Sequence, residues 1–477
     1  MREDSSTSFK DGILSTFSRA EYPNQESVIL RYYQGIDKAR RLIENQEDLS
    51  PKKTFFQPPF ALPALSEKWV DFYDPARMDL INLGTYKSRT LRFLNLMQDP
   101  STQTTKTVPS LSIVARAVDH IHKTGENILL LVTTSGNKGT ALRSAVQRAI
   151  QIGLVDRKQL RIAMLAPVSS ATKMRCSDLS NDPELARLNP LALYTGNKGN
   201  AYVKEIGNAF ASKYTQEFFK QSHTRIWYTL NLNNYRIEDS VRAFFEHEAS
   251  LLDQKRPYEK KLQVHAVSSA FGIIGFNLGR SILRQENITS HEPESGYMIV
   301  QDMGNPDMVL FHHFGSFCQK NMPRYQLNNL TGLYTQNESL HFPEKTFSPN
   351  ETLDSTFYTR QPVTASYVSK MIKTCGGSGI VVSLQECLEK YAFIRYLLAP
   401  QQILLPEDPR KVHEWAIIMA FTGVLKAIDR GLIDKDTLIT VHGSGLYTEG
   451  DYTPIPTNKL PNISDDKPVE ALRNLLI

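Results

Sequence analysis

Through much of the chain, short apolar runs of strand length are followed by segments whose apolar positions recur every three or four residues. ILLLVTT (128–134) precedes GTALRSAVQRAIQIGL (139–154), LRIAMLAP (160–167) precedes SSATKMRCSDL (169–179), and LQVHAVSS (262–269) precedes GFNLGRSILR (275–284). Strand-like runs alternating with helical ones predict parallel or mostly parallel sheets flanked by helices, an α/β architecture. Near the end, EWAIIMAFTGVLKAIDRGLI (414–433) reads as a strongly apolar helix stopping at a glycine, and TLITVHGSGLY (437–447) as a buried strand running into a turn. Two regions break the alternation. Residues 1–55 read as a charged helical extension, with 3–4 spacing in ESVILRYYQGIDKARRLIENQ and a proline-rich end. Residues from about 285 to 360 are rich in Asn, Ser, Thr and Pro, with only short apolar pieces such as YMIVQDM and MVLFHHF, and read as a long irregular insertion.

Composition narrows the classes. At 477 residues, 41% hydrophobic and 22% charged, the chain has material for a large core and two domains. A net charge of +5 with no long basic run argues against a nucleic-acid arm. The polar start MREDSSTSFKDGIL has no signal-peptide core, and nothing approaches the roughly 18 uninterrupted apolar residues of a membrane helix. The expectation is a cytoplasmic protein with neither nucleic-acid nor membrane partner. Cys176, Cys318, Cys375 and Cys387 are widely separated, with no C-x-x-C pair, so no disulfide framework or cysteine zinc site is indicated. His312 and His313 are adjacent and read as pointing to opposite sides of a strand, which disfavours a shared metal; no metal site is expected.

The densest chemical signal is LLVTTSGNKGTAL (130–142), a strand running through a glycine-bearing turn into a helix. Such a junction gathers backbone N–H groups and the positive end of a helix dipole, which suits an anion. It is not a nucleotide phosphate loop, because Lys138 precedes Gly139 instead of following it, and the glycine spacing fails the dinucleotide fingerprint. A plain strand-to-helix turn, N-capped by Ser135 or Asn137, explains the stretch equally well. HGSGLY is not a nucleophile elbow either, since His442 and Leu446 occupy the positions that G-x-S-x-G reserves for glycine.

Four segments in order carry a resemblance. MDLINLGTYKSRTLRFLNLM (78–97), TTSGN (133–137), VHAVSSAFGIIGFNLGRSI (264–282) and TLITVHGSGLY resemble the lysine segment, asparagine loop, phosphate cup and late strand-turn of the fold type II pyridoxal-phosphate enzymes, the tryptophan synthase β-like group. NLNNYRIED (231–239) and the C-terminal stretch are most similar to the threonine synthase branch. The resemblance implies a two-domain fold. Residues 56–104 with 221–477 form the larger, cofactor-binding domain carrying the 285–360 insertion, and 105–220 form a smaller α/β domain.

It also implies pyridoxal 5'-phosphate as cofactor, with Lys87 as the amine that takes its aldehyde and moves the substrate α-proton. Read without the other motifs, Lys87 is a solvated lysine beside Arg89 and Arg92. Asn137 is placed at the ring hydroxyl, Ser268, Ser269, Ala270, Phe271 and Gly272 at the phosphate, and Ser444 at the pyridine nitrogen. Thr134, Ser135, Gly136 and Lys138 are placed at the carboxylate of an amino-acid substrate, with Asn233 and Arg236 at its distal anion. The implied activity is that of a lyase or synthase removing and replacing a β- or γ-leaving group, with a homodimer as the common assembly. The sequence departs from the pattern in its thinned phosphate cup, in Lys138, and in a wide spacing from Lys87 to the asparagine loop. A specialised β-replacement enzyme and a cofactor-free binding or regulatory descendant therefore remain alternatives.

Overall fold

The computed structural model describes residues 9, 12–16, 18, 20–45, 55–252, 260–290, 292–354 and 359–477. Of the expected helical extension, residues 1–8 and 46–54 lie outside this set; the described part holds the amphipathic helix Tyr33–Glu44, packed through Ile36, Ala39 and Ile43 onto the body.

Eleven strands form two main sheets. The first, six-stranded, takes β1 (Asp79–Tyr86), β2 (Arg89–Asn95), β7 (Lys261–Ala266), β8 (Ser295–Asp302), β12 (Gly377–Val382) and β13 (Leu438–His442) in the order β1-β2-β13-β7-β8-β12. Only the β1–β2 pairing is antiparallel. The second takes β3 (Asn127–Thr133), β4 (Leu160–Pro167), β5 (Leu191–Tyr194), β6 (Thr224–Tyr228) and β14 (Asn462–Ile463) in the order β14-β5-β4-β3-β6, all parallel. Every residue of β8 and of β13 is buried, as is β3 after its first residue. Strands covered by helices on both faces have no solvent side, which is why β3 reads as an unbroken apolar run. The helix Ala416–Asp429 is buried nearly all round against the first sheet, consistent with its lack of a polar face.

Three expectations are corrected here. Residues 295–302, read as part of an irregular insertion, are a central strand, and MVLFHHF is the helix Asp307–Phe314; polar neighbours had masked a buried strand too short to show a period. Irregular chain does follow, around a small sheet of β9 (Gln326–Asn328), β10 (Leu333–Thr335) and β11 (Lys345–Thr346). His312 and His313 therefore sit on a helix, and His313 Nε2 and His341 Nδ1 both approach the Gly379 carbonyl, at 3.1 and 3.0 Å. Finally, β6 and β14 pair into the sheet built from residues 127–194, although their positions fall in the segments read as the larger domain.

Candidate functional site

The asparagine loop is shaped by close approach. Where β3 turns into the helix Asn137–Gln151, Gly136 adopts φ 145°, a conformation side chains resist, and a Cβ there would meet Lys173 Cδ at 3.1 Å. Thr134 Oγ1 accepts from the Gly136 and Gly139 amides at 3.1 and 3.3 Å, capping the first turn. At Gly139 a Cβ would fall 2.4 Å from Met164 Cε and 2.5 Å from Thr134 Cγ2. Gly139→Ala is thus expected to cost about 1–3 kcal/mol through overpacking and displacement of that cap, read from chemical denaturation midpoints.

Asn137 is held on both sides. Its Nδ2 donates to Glu414 Oε2 at 2.9 Å, and its Oδ1 accepts from the Tyr447 hydroxyl. Behind it, Lys173 Nζ lies 2.5 Å from Asp354 Oδ1 and 3.4 Å from Glu414 Oε2, all three side chains buried. Burial opposes the Lys173 charge, but the two carboxylates outweigh it and raise its pKa.

This loop forms one wall of a cavity of about 450 Å³, within the range of small-ligand sites. Thr134, Ser135, Asn137 and Lys138 line it from one sheet. Ser268, Ser269, Ala270, Phe271 and Gly272 line it from the other, together with Ser444. The 268–272 segment leads into the helix Phe271–Gln285 and places Ala270 at φ 58°. A Cβ at Gly272 would lie 2.5 Å from Arg242 Nη1, so the glycine lets a guanidinium stand directly against the cup. Asp239 holds Arg242 through its Nε at 2.9 Å and its Nη2 at 2.5 Å.

Four predicted residues do not line this cavity. Lys87 sits with Ser88 at the tip of the β1–β2 hairpin, at φ 45° and 65°, the two-residue turn with both central residues left-handed. Its side chain is 57% exposed and pairs with Asp429 at 2.5 Å. Asn233 and Arg236 belong to the single helical turn Asn233–Arg236, whose Tyr235 faces the cavity; Arg236 is buried with its guanidinium 5.6 Å from the Tyr367 ring. Successive positions of one turn cannot share a face, so Tyr235 excludes its neighbours. Gly136 shapes the turn without lining the cavity.

Lys106, Lys204, Tyr235, Arg242, His265, Glu414 and His442, which the sequence reading passed over, do line it. Lys106 precedes the helix Thr107–Thr124, in a segment docked beneath Ser444: the Thr105 amide donates to the Ser444 carbonyl at 3.0 Å, and Thr104 Oγ1 does so at 3.2 Å. A lysine heading the largely apolar helix Thr107–Thr124 was the available signal.

The lining is strongly basic. Lys106 and Lys138 place their ammonium groups 5.3 and 5.7 Å from the centroid of the same Tyr235 ring. Burial, then Lys204 and Lys106, bring the Lys138 pKa down to about 7; burial likewise lowers Lys106, against the opposing pull of Asp239. The unfolded chain therefore holds a proton on Lys138 that the native state has released between about pH 7 and the ordinary lysine range, so this residue's contribution favours folding increasingly as pH rises through that window. The denaturation midpoint of the protein relative to Lys138→Met is expected to climb from pH 7 to pH 10; a flat difference would contradict the depressed value.

The family model described as "Family of unknown function (DUF6002)" matches residues 24–475. No curated protein sequence matches the chain. In fold it is similar to threonine synthase from yeast (TM-score 0.53, 13% identity, 85% of this chain and 82% of that one). It is also similar to threonine synthase from Escherichia coli (TM-score 0.53, 12% identity, 99% and 96%) and to pyridoxal-phosphate-bound threonine synthase from Brucella melitensis (TM-score 0.50, 13% identity, 86% and 82%). The architecture is thus that of the fold type II enzymes, as the motif order had implied.

Proposed function

The chain belongs to this family of unknown function, and we propose that it binds pyridoxal 5'-phosphate through Lys106 and acts as a lyase or synthase on an amino acid bearing a β- or γ-leaving group. The observation that carries this reading is a lysine amine with a burial-lowered pKa, in a basic cavity between an asparagine loop and a phosphate-cup-like helix start. The residues present fit that cofactor. An aldehyde condenses with a neutral amine, which desolvation favours at Lys106. A phosphate dianion suits the turn 268–272, where Gly272 lets Arg242 stand close.

When bound, the cofactor supplies electron withdrawal from the substrate's Cα. The chain's own residues do the rest. Lys106 Nζ holds the cofactor and carries the proton taken from the substrate. Thr134 and Ser135, at the N-terminus of the helix Asn137–Gln151, receive the substrate carboxylate, where the helix dipole favours an anion. Asn137, fixed by Glu414 and Tyr447, keeps a second amide hydrogen for the cofactor's ring oxygen. Lys138 and Lys204 stand where a further acidic group of the substrate, such as a phosphate ester, would draw a proton onto them and pair with it.

The test is borohydride reduction of protein incubated with pyridoxal phosphate, followed by peptide mapping. The reduced adduct is expected on the peptide containing Lys106. An adduct on Lys87, or none, would overturn the assignment. A screen of amino acids for released phosphate, acetate or ammonia then separates threonine-synthase-like chemistry from β-replacement.

A further inference from the structure

Two strands of the first sheet, β7 and β13, carry a stacked pair of histidines to the cavity. The rings of His265 and His442 lie 3.8 Å apart at 26°, and Phe276 packs edge-on to His442 at 5.0 Å. Both histidines line the cavity and both are buried. Behind His442 runs a chain of hydrogen bonds with one consistent sense. Gln263 Nε2 donates to the Glu246 carboxylate oxygens at 3.0 and 3.1 Å, and Thr440 Oγ1 donates to the same carboxylate at 2.9 Å. A carboxylate accepts, so the Gln263 amide turns its NH₂ toward Glu246 and its carbonyl toward His442. That carbonyl lies 2.8 Å from His442 Nε2 and can only accept, so the imidazole proton is on Nε2 and the lone pair on Nδ1.

His442 Nδ1 is buried and has no hydrogen-bond partner among the described residues. Burial, with His265 and Arg242 beside it, keeps the ring neutral. Buried polar atoms are normally hydrogen-bonded, and His442 lines the cavity, so a donor on the cavity's occupant is the candidate partner for this lone pair. Of the groups on pyridoxal phosphate, the phosphate and ring oxygens face a cup and an amide that supply donors; the protonated ring nitrogen is the group that needs an acceptor.

We propose that His442 Nδ1 accepts a hydrogen bond from the protonated ring nitrogen of bound pyridoxal phosphate, with Gln263 and Glu246 as positioning residues that hold the accepting tautomer. This rests on the cofactor reading above. It moves the ring-nitrogen contact from Ser444, a hydroxyl able to donate to a neutral nitrogen, to an imidazole that pairs only with a protonated one. The consequence is a stronger electron sink than a hydroxyl partner allows, because the cofactor keeps its ring charge.

The test compares binding of pyridoxal phosphate with that of its analogue carrying C–H in place of the ring nitrogen. Titrations use the full-length protein, His442→Phe and Gln263→Leu, with borohydride trapping at Lys106 confirming occupancy. The unmodified protein is expected to prefer the nitrogen-containing compound by about tenfold or more. His442→Phe should erase that preference, and Gln263→Leu should reduce it. In protein labelled with ¹⁵N-histidine, which needs no substitution, the His442 Nδ1 resonance should shift on adding pyridoxal phosphate but not the analogue. A preference that survives in His442→Phe, or an unmodified protein that binds both compounds equally at Lys106, overturns the assignment to His442 alone. Failure to bind either compound overturns the cofactor reading and this inference with it. A resonance that moves equally with both compounds would point to the substrate-side donors instead and also overturns it.

Discussion

Lys106→Ala is expected to eliminate the borohydride-fixed adduct and the visible absorbance of protein mixed with pyridoxal phosphate, and to lower turnover by about three orders of magnitude or more, as losses of a covalent catalytic group do. The matched variant, Lys87→Ala, is expected to leave both unchanged. The contrast follows from position. Lys106 lines the cavity beside Thr105, whose amide is bonded to the Ser444 carbonyl, and its charge is disfavoured by burial. Lys87 is at a hairpin tip, its pKa raised by its bond to Asp429, so it is solvated and protonated. Spectra of the two variants, recorded side by side, decide between them: a band lost in Lys87→Ala and kept in Lys106→Ala would reverse the reading.

Lys173→Met carries the largest expected effect on stability, a loss of about 3–5 kcal/mol by chemical denaturation, because it leaves two buried carboxylates without their cation. Glu414 is 0% exposed and Asp354 5%, and each is tied into the backbone, Glu414 Oε1 to the Ala416 amide at 3.3 Å and Asp354 Oδ2 to the Trp415 amide at 2.9 Å. Neither can swing out to water. Adding Glu414→Gln should recover part of the loss, since one buried charge is then removed with its partner. The same substitution reaches the site: with Lys173 gone, the Glu414 oxygen that accepts from Asn137 has lost its neighbouring positive charge. Weaker binding of pyridoxal phosphate should accompany the instability. A variant as stable as the parent would show that the three charges do not form one buried unit.

The two segments 133–137 and 268–272 that wall the cavity were legible because each is a local device. Gly139 tucks the helix Asn137–Gln151 against Met164, and Gly272 admits Arg242, so both leave their mark within a few consecutive residues. Lys87 lies away from the cavity because the segment 78–97 has the residue types of the lysine motif in a different geometry: an antiparallel hairpin turning at Lys87 and Ser88. Nothing in its composition distinguishes a strand-turn-strand from a strand-turn-helix at that length. Asn233 and Arg236 failed for a narrower reason, the phase of one helical turn that gave the cavity to Tyr235.

What the sequence determined by itself is the α/β alternation, the order of the motifs and two walls of the cavity, since hydrophobic period and close-packed glycines are properties of neighbours along the chain. What only the tertiary structure decided is which charged and aromatic groups meet there. Lys106, Arg242, Glu414 and His442 come from four separate stretches, and β13 enters between β2 and β7, bringing His442 beside Gln263 from far along the chain. Burial then sets their chemistry, lowering the pKa of Lys106 and holding His442 neutral, and burial is a property of the packed chain that no single segment carries.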